Sequence, residues 1–294
     1  MRLVPWLLLS AFAVSPVIAQ QGEDVRALRG KLAAGDLPSA ESILEVHRAE
    51  KGEDPEYLLG LAWLARGAAL TGDWTAASRY AGLAAGLAQP KLRNAADYEA
   101  NHEAAYALGA AFEVQAQVLQ SAGKKADALR YLEEQVKTHG DAPYNFRARM
   151  WKRWNLIGLG ATHAPEFDWG PPAAKPVVLF FWAEWCGDCK SQAPVFRRMV
   201  EKYAPKGVVF IAPTRLYSDD HAAEKERLQK VWQENYAGSQ PVNVPISDEA
   251  MVRYGVSSTP TFAFVDRKGI VRLYSPTRLT EARLSAAVDD LLAH

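Results

Sequence analysis

The chain predicts an α/β domain in its C-terminal half, preceded by an all-α domain built from helical hairpins. Three observations carry this. At 294 residues the chain is long for one domain. Residues 24–160 are rich in Ala and Leu, almost free of β-branched runs and punctuated by Gly. Beyond them, the apolar run Val177-Val178-Leu179-Phe180-Phe181-Trp182 leads into Trp185-Cys186-Gly187-Asp188-Cys189, the pattern of a strand handing over to a helix.

At 49% hydrophobic and 23% charged residues, the composition suits packed cores rather than disorder. Lys plus Arg number 34, and so do Asp plus Glu. That balance gives no electrostatic reason to expect nucleic acid or acidic lipid as a partner. At the start, Arg2 precedes an apolar stretch over 3–14 and then Val17-Ile18-Ala19. This is the pattern of a secretory signal, so residues 1–19 are expected to be a signal peptide and the protein to be exported, to a periplasm. The alternative is an uncleaved anchor that tethers the protein to a membrane, although the stretch falls short of the ~20 residues a span needs.

Residues 20–158 form the expected helical domain. Three segments echo one another: Gly35 with Ala40, Gly72 with Ala77, and Gly123 with Ala128. Each pair precedes apolar helix positions: Ile43 and Leu44, Tyr80, and Tyr131 with Leu132. The arrangement resembles tetratricopeptide-type hairpins, in which a small residue after the turn lets two helices pack closely. The second interval, Gly72 to Gly123, exceeds the first and predicts either a longer helix pair or an insertion near Gln89-Pro90. The other reading is an irregular helical bundle. Over 147–154, Arg147, Arg149, Lys152 and Arg153 alternate with Trp151 and Trp154. That stretch reads as an amphipathic helix closing the domain, or else as a peptide-binding stripe. The Pro-rich stretch 169–176 is a loop.

Residues 159–294 form the expected α/β domain. Strand 177–182 is followed by a helix opening at Cys186 and a second buried strand over 207–212. Leu228, Val231, Trp232 and Tyr236 lie at helical spacing and predict a crossover helix within 219–236, with parallel strands on either side. A strand over 261–266, an Asp266-Arg267-Lys268-Gly269 turn, a strand over 270–274 and a helix over 280–293 complete it. Thr280 is the expected N-cap of the last helix.

Cys186 and Cys189 are the only cysteines in the chain. A sulfur at a helix start meets unpaired N–H groups and the positive end of the dipole, which favour a thiolate. The thiolate is the form that attacks disulfides. Cys189, one turn on, can resolve a mixed disulfide. A zinc site would need two more ligands. The six His show no H-x3-5-H pair, so neither metal nor cofactor is expected. In an oxidising compartment such a pair serves exchange rather than stapling.

Phe181-Trp182-Ala183-Glu184-Trp185-Cys186-Gly187-Asp188-Cys189-Lys190 resembles the active-site segment of thioredoxin. Pro194 stands where the family's helix carries a kinking proline. Ser258-Thr259-Pro260-Thr261 resembles its cis-proline loop. Ala164-Pro165-Glu166-Phe167 resembles the lead-in segment of the exported TlpA/ResA-type branch. The resemblance covers about residues 160–294. It implies a thioredoxin-like fold and an exported thiol-disulfide oxidoreductase, with catalytic Cys186 and Cys189 supported by Trp185, Gly187, Asp188, Thr259 and Pro260. It also implies disulfide-containing client proteins and an electron-donating thiol-disulfide partner, in or near the membrane. The Thr259 backbone would pair with a bound peptide.

Two family acids are absent: Phe180 and Gln192 occupy their places. Glu184 and Asp188 are the carboxylates nearest in sequence, read as proton acceptors or as solvated surface groups. Asp188, between the two sulfurs, should oppose a Cys186 thiolate and make the disulfide harder to reduce, which points to a reductase. Alternatives are an oxidase or isomerase, and a client-binding scaffold with a secondary redox centre. A peroxidase is a weaker fit, because its reactive Cys stands alone behind a Thr/Pro loop.

Overall fold

The computed structural model describes residues 22–143, 146–147, 163–168, 174–238 and 241–294. The expected signal segment 1–19, residues 148–154 of the basic–aromatic stretch and residues 169–173 of the Pro-rich loop lie outside them.

The first half is helical: α1 (Glu23–Ala33), α2 (Leu37–Lys51), α3 (Pro55–Thr71), α4 (Trp74–Ala88), α5 (Ala95–Ala100), α6 (His102–Ser121) and α7 (Lys125–Thr138). The three echoed segments are the turns α1/α2, α3/α4 and α6/α7. Gly35, Gly72 and Gly123 adopt φ of +81°, +81° and +75°, a region that only glycine enters without a Cβ penalty. Ala40, Ala77 and Ala128 are each fully buried. Asp36 and Asp73 cap α2 and α4 by accepting from Ser39 N (3.1 Å) and Ala76 N (3.0 Å). The longer second interval holds a 3-10 turn at Gln89–Lys91 and α5, at the place expected for the insertion. The first hairpin closes onto α3 across two glycines. A Cβ at Gly60 would lie 2.3 Å from Leu44, and one at Gly67 would lie 2.4 Å from Leu32.

Two charge clusters stitch the helices. Arg66 of α3 meets Glu113 of α6 at 2.9 Å, with both side chains about as buried as the apolar core around them. His47 of α2 is buried between Asp24 (2.8 Å) and Asp54 (2.9 Å). Burial disfavours the imidazolium, but hydrogen bonds to the two carboxylates outweigh it and raise the His47 pKa above its ordinary value. The Asp24 pKa is lowered by Lys51 and His47. A raised histidine pKa contributes stability that is fully present below about pH 6.5 and is lost as pH rises through the folded-state value. The lowered Asp24 contributes stability above about pH 4 that is lost in acid. Thermal denaturation from pH 6 to pH 9 is therefore expected to show a falling midpoint in the native protein and a flatter profile in His47→Gln. Equal slopes would remove His47 from this role.

The second half carries β1 (Val177–Phe181), α8 (Gly187–Tyr203), β2 (Val209–Ile211), α9 (His221–Asn235), α10 (Asp248–Arg253), β3 (Thr261–Val265), β4 (Val271–Ser275) and α11 (Glu281–Ala293). The sheet order is β2-β1-β3-β4, with β1 parallel to β2, β1 antiparallel to β3, and β3 antiparallel to β4. This is a thioredoxin-like fold. β1 is buried along its length, which explains its unbroken apolar run. Val178, Phe180, Phe262 and Phe264 face the core that α8 and α11 cover. Val177, Leu179, Phe181 and Ala263 face the core that α10 covers. The crossover helix α9 delivers residues 243–246 alongside β2, through parallel bridges Ile211–Asn243 and Thr214–Ile246.

The 266–269 turn is held by Asp266. Its Oδ1 accepts from Lys268 N (2.8 Å) and Ile270 N (2.9 Å), and Oδ2 accepts from Arg272 Nε (2.7 Å). Asp266→Ala should destabilise the protein by about 1–3 kcal/mol, because two backbone donors and a guanidinium lose a charged acceptor. Urea titration reads this; a loss within error would mean that water replaces the carboxylate without cost.

Candidate active site

The end of β1 is pinned before the cysteines begin. Trp182 Nε1 donates to the Ala212 carbonyl (3.1 Å), and Thr214 Oγ1 donates to the Trp182 carbonyl (2.8 Å). A turn closed by Cys186 N donating to Ala183 O (3.1 Å) then places Cys186 at the N-cap of α8. Its Sγ accepts from Cys189 N at 3.2 Å. The two cysteines form a disulfide, with Cα atoms 5.2 Å apart. Cys189 is wholly buried, and Cys186 opens onto a cavity of about 900 Å³. On reduction, a Cys186 thiolate would keep the Cys189 N–H as a donor, which favours the anion.

The Thr259–Pro260 peptide is cis, as the resemblance implied, and the Thr259 carbonyl oxygen lies 3.4 Å from Cys186 Sγ. The loop is held on both sides. Ser258 Oγ donates to Pro276 O (2.8 Å), and Thr261 Oγ1 donates to Ser258 O (2.7 Å). Trp185 stands edge-on to Tyr217 at 5.2 Å. The Tyr217 segment is organised by the buried Glu224, whose carboxylate accepts from Tyr217 N and Ser218 N at 2.8 Å. A Cβ at Gly187 would meet nothing within 4 Å, so the packing here does not itself require glycine.

The positions of the absent acids are filled by other tasks. Phe180 is fully buried and stacks on Phe196 at 4.6 Å. Gln192 is buried with its amide spent on Leu279: Nε2 donates to the carbonyl (3.0 Å) and Oε1 accepts from the N–H (2.9 Å). Neither can take a proton from Cys189.

Asp188 and Glu184 require a correction. Neither is a solvated surface group: each side chain is only 11% exposed and paired with arginine. Glu184 meets Arg227 at 3.4 Å. Asp188 meets Arg29 at 2.8 Å and Arg278 at 3.6 Å. Its charge is therefore compensated, and it does not oppose a Cys186 thiolate in the manner expected of a lone carboxylate. The inference of a reducing couple from Asp188 loses its basis.

Arg29 belongs to α1, so the helical half forms one wall of the cavity at the disulfide. The cavity is lined by Cys186, Trp185, Tyr217 and Thr259 from one side and by Arg29 and Tyr106 from the other. Leu70 of α3 packs against the α/β core, and Arg66 donates to Ser257 at 3.1 Å, next to the cis-proline loop.

Residues 167–274 match the AhpC/TSA family model. The chain is 32% identical over 101 residues to the thiol:disulfide interchange protein DsbE of Pseudomonas fluorescens biotype C, covering 33% of this chain and 49% of that one. It is 26% identical over 139 residues to the thiol-disulfide oxidoreductase ResA of Geobacillus thermodenitrificans, covering 44% of this chain and 75% of that one. The crystal structure of StoA from Bacillus subtilis is similar over 40% of this chain and 85% of that one, with 19% identity and a TM-score of 0.35. The chain thus spans about half the length of the DsbE that it matches.

Sequence reading missed Arg29, Arg278, Tyr217 and Glu224. A signal existed for Arg29. It falls on the same helical face as Val25, Leu28 and Leu32, all buried, where a cation interrupts an apolar stripe.

Proposed function

We propose that this protein is an exported thiol-disulfide oxidoreductase whose Cys186–Cys189 couple exchanges with disulfides of polypeptide clients. The observation that carries this is Cys186 at the N-cap of α8, bonded to Cys189, beside the cis Thr259–Pro260 peptide and open to a cavity. In the reducing direction, the Cys186 thiolate attacks one sulfur of the client disulfide. A Cys186–client disulfide forms, and the other client sulfur leaves as a thiolate that takes up a proton. The Cys189 thiolate then attacks Cys186 Sγ and expels the second client sulfur. Two electrons have passed to the client, and the Cys186–Cys189 disulfide remains. An external dithiol partner must re-reduce it. Trp185, Gly187 and Asp188 shape the mouth, while Thr259 and Pro260 offer backbone to an extended client segment.

The reductase direction read from the sequence now rests on the exported compartment alone, where disulfides form and persist. One observation favours a second, a disulfide donor: Arg29 and Arg278 together outweigh Asp188 and favour the thiolate, which makes the disulfide more oxidising. Residues 20–158 are taken as a degenerate tetratricopeptide-like array that brings clients to the cleft, and residues 159–294 as the redox domain. Export rests on the pattern of residues 1–19; no helix among the described residues is long and apolar enough to cross a membrane. The deciding assays use the full chain. A reductase accelerates insulin reduction by dithiothreitol, and a disulfide donor oxidises reduced, unfolded ribonuclease. Activity in neither would overturn the assignment.

A further inference from the structure

We propose that Arg29, from the helical half, is a positioning residue of the redox centre: it bonds Asp188 and the Thr259 carbonyl beside Cys186 and, by neutralising Asp188, favours the Cys186 thiolate. This rests on the exchange reading above. The guanidinium pairs with Asp188 Oδ2 at 2.8 Å and donates from Nη2 to Thr259 O at 3.3 Å. The same carbonyl oxygen lies 3.4 Å from Cys186 Sγ. That oxygen accepts from a thiol and opposes a thiolate; by donating to the same oxygen, Arg29 lessens the opposition. The guanidinium is clamped from behind by Trp63, 4.0 Å from the ring centroid.

Arg29 is nearly fully buried, and its charged neighbours are Asp188, Arg278 and Arg66. Burial lowers its pKa and Asp188 works in the opposite direction. Stability alone explains such a pair poorly. Removing a guanidinium and a carboxylate from water is costly, and two apolar residues would hold the halves together at least as well. Charge control at the sulfur gives the pair a purpose. Asp188 stands two positions from Cys186, where an uncompensated carboxylate would disfavour the thiolate. Arg29 cancels it, and Arg278, 3.6 Å away, tips the balance positive. Arg278 packs on α1 at Gly30, where a Cβ would stand 3.4 Å from Nη2, an ordinary contact.

The test is the pH dependence of iodoacetamide labelling of Cys186 in the reduced full-length chain, followed by mass on the Cys186 peptide. Arg29→Met should raise the pH of half-maximal rate by about one unit. Arg29→Lys, which keeps the charge, should stay near the native value. Asp188→Asn should lower the half-labelling pH, and Arg29→Met/Asp188→Asn should return most of the way to native. A residue that only braces the two halves would leave the profile of Arg29→Met at the native value, and that result overturns the proposal. If Arg29→Met does not fold, Arg29→Gln, which keeps hydrogen-bond donors without the charge, decides: a raised half-labelling pH supports the role and an unchanged one overturns it. The measurement needs no client. Native protein that labels as expected yet reduces no insulin counts against the exchange reading and leaves Arg29 in place.

Discussion

Cys189→Ser is expected to accumulate mixed disulfides with client polypeptides, while Cys186→Ser accumulates none. Cys186 opens the helix and faces the cavity; Cys189 is wholly buried one turn on. With Cys189 absent, the first exchange proceeds and the second cannot, so the client stays bonded to Cys186. With Cys186 absent, the remaining sulfur cannot reach a client, and turnover should fall on the order of 10³-fold or more, as when any nucleophile is removed. Non-reducing gels and mass spectrometry read both outcomes. Iodoacetamide should also label Cys186 of the reduced native chain before Cys189. Complexes trapped by Cys186→Ser rather than by Cys189→Ser would reverse the roles of the two residues.

Arg66→Met carries the largest expected loss of stability. Arg66 and Glu113 form a buried pair at 2.9 Å between α3 and α6, and Arg66 also contacts Tyr106 and Ser257. Removing one partner leaves Glu113 as a buried charge without its main cation, which costs about 3–5 kcal/mol. Replacing both, as Arg66→Met/Glu113→Met, should recover much of the loss, because the apolar pair has no charge to desolvate. Urea titration of the single and double variants reads the coupling. A single variant within about 1 kcal/mol of native, the size of a surface pair, would show that the charge is relieved by water instead.

The elements of the fold were legible because each has a local cause. The run at 177–182 is apolar on both faces because β1 is central, and the Gly…Ala echoes mark turns whose glycines take positive φ and whose alanines are buried. Cys186, Cys189 and the Thr259-Pro260 loop were legible as motifs whose parts lie far apart in sequence but whose types are distinctive. The electrostatics of the site were not. Asp188 has an arginine partner 159 positions earlier in the chain, as its number and that of Arg29 show. Only the docking of α1 against the mouth of α8 brings them together. Gln192 was noticed as a missing acid, yet its bonds to Leu279 depend on how α11 packs. Local chemistry thus pointed to the bonded sulfurs and the cis peptide beside them, and tertiary contact determined what surrounds them.

The most direct measurement is the reduction potential of Cys186–Cys189 in the full-length chain, equilibrated in glutathione or dithiothreitol buffers and quenched by alkylation. The expected result is one reversible two-electron transition, with both cysteines changing together, between about −270 mV and −120 mV, the span of known exchange catalysts. A potential below about −300 mV, where disulfides that only brace a structure lie, or the absence of a reversible transition, would contradict a working redox couple at the start of α8.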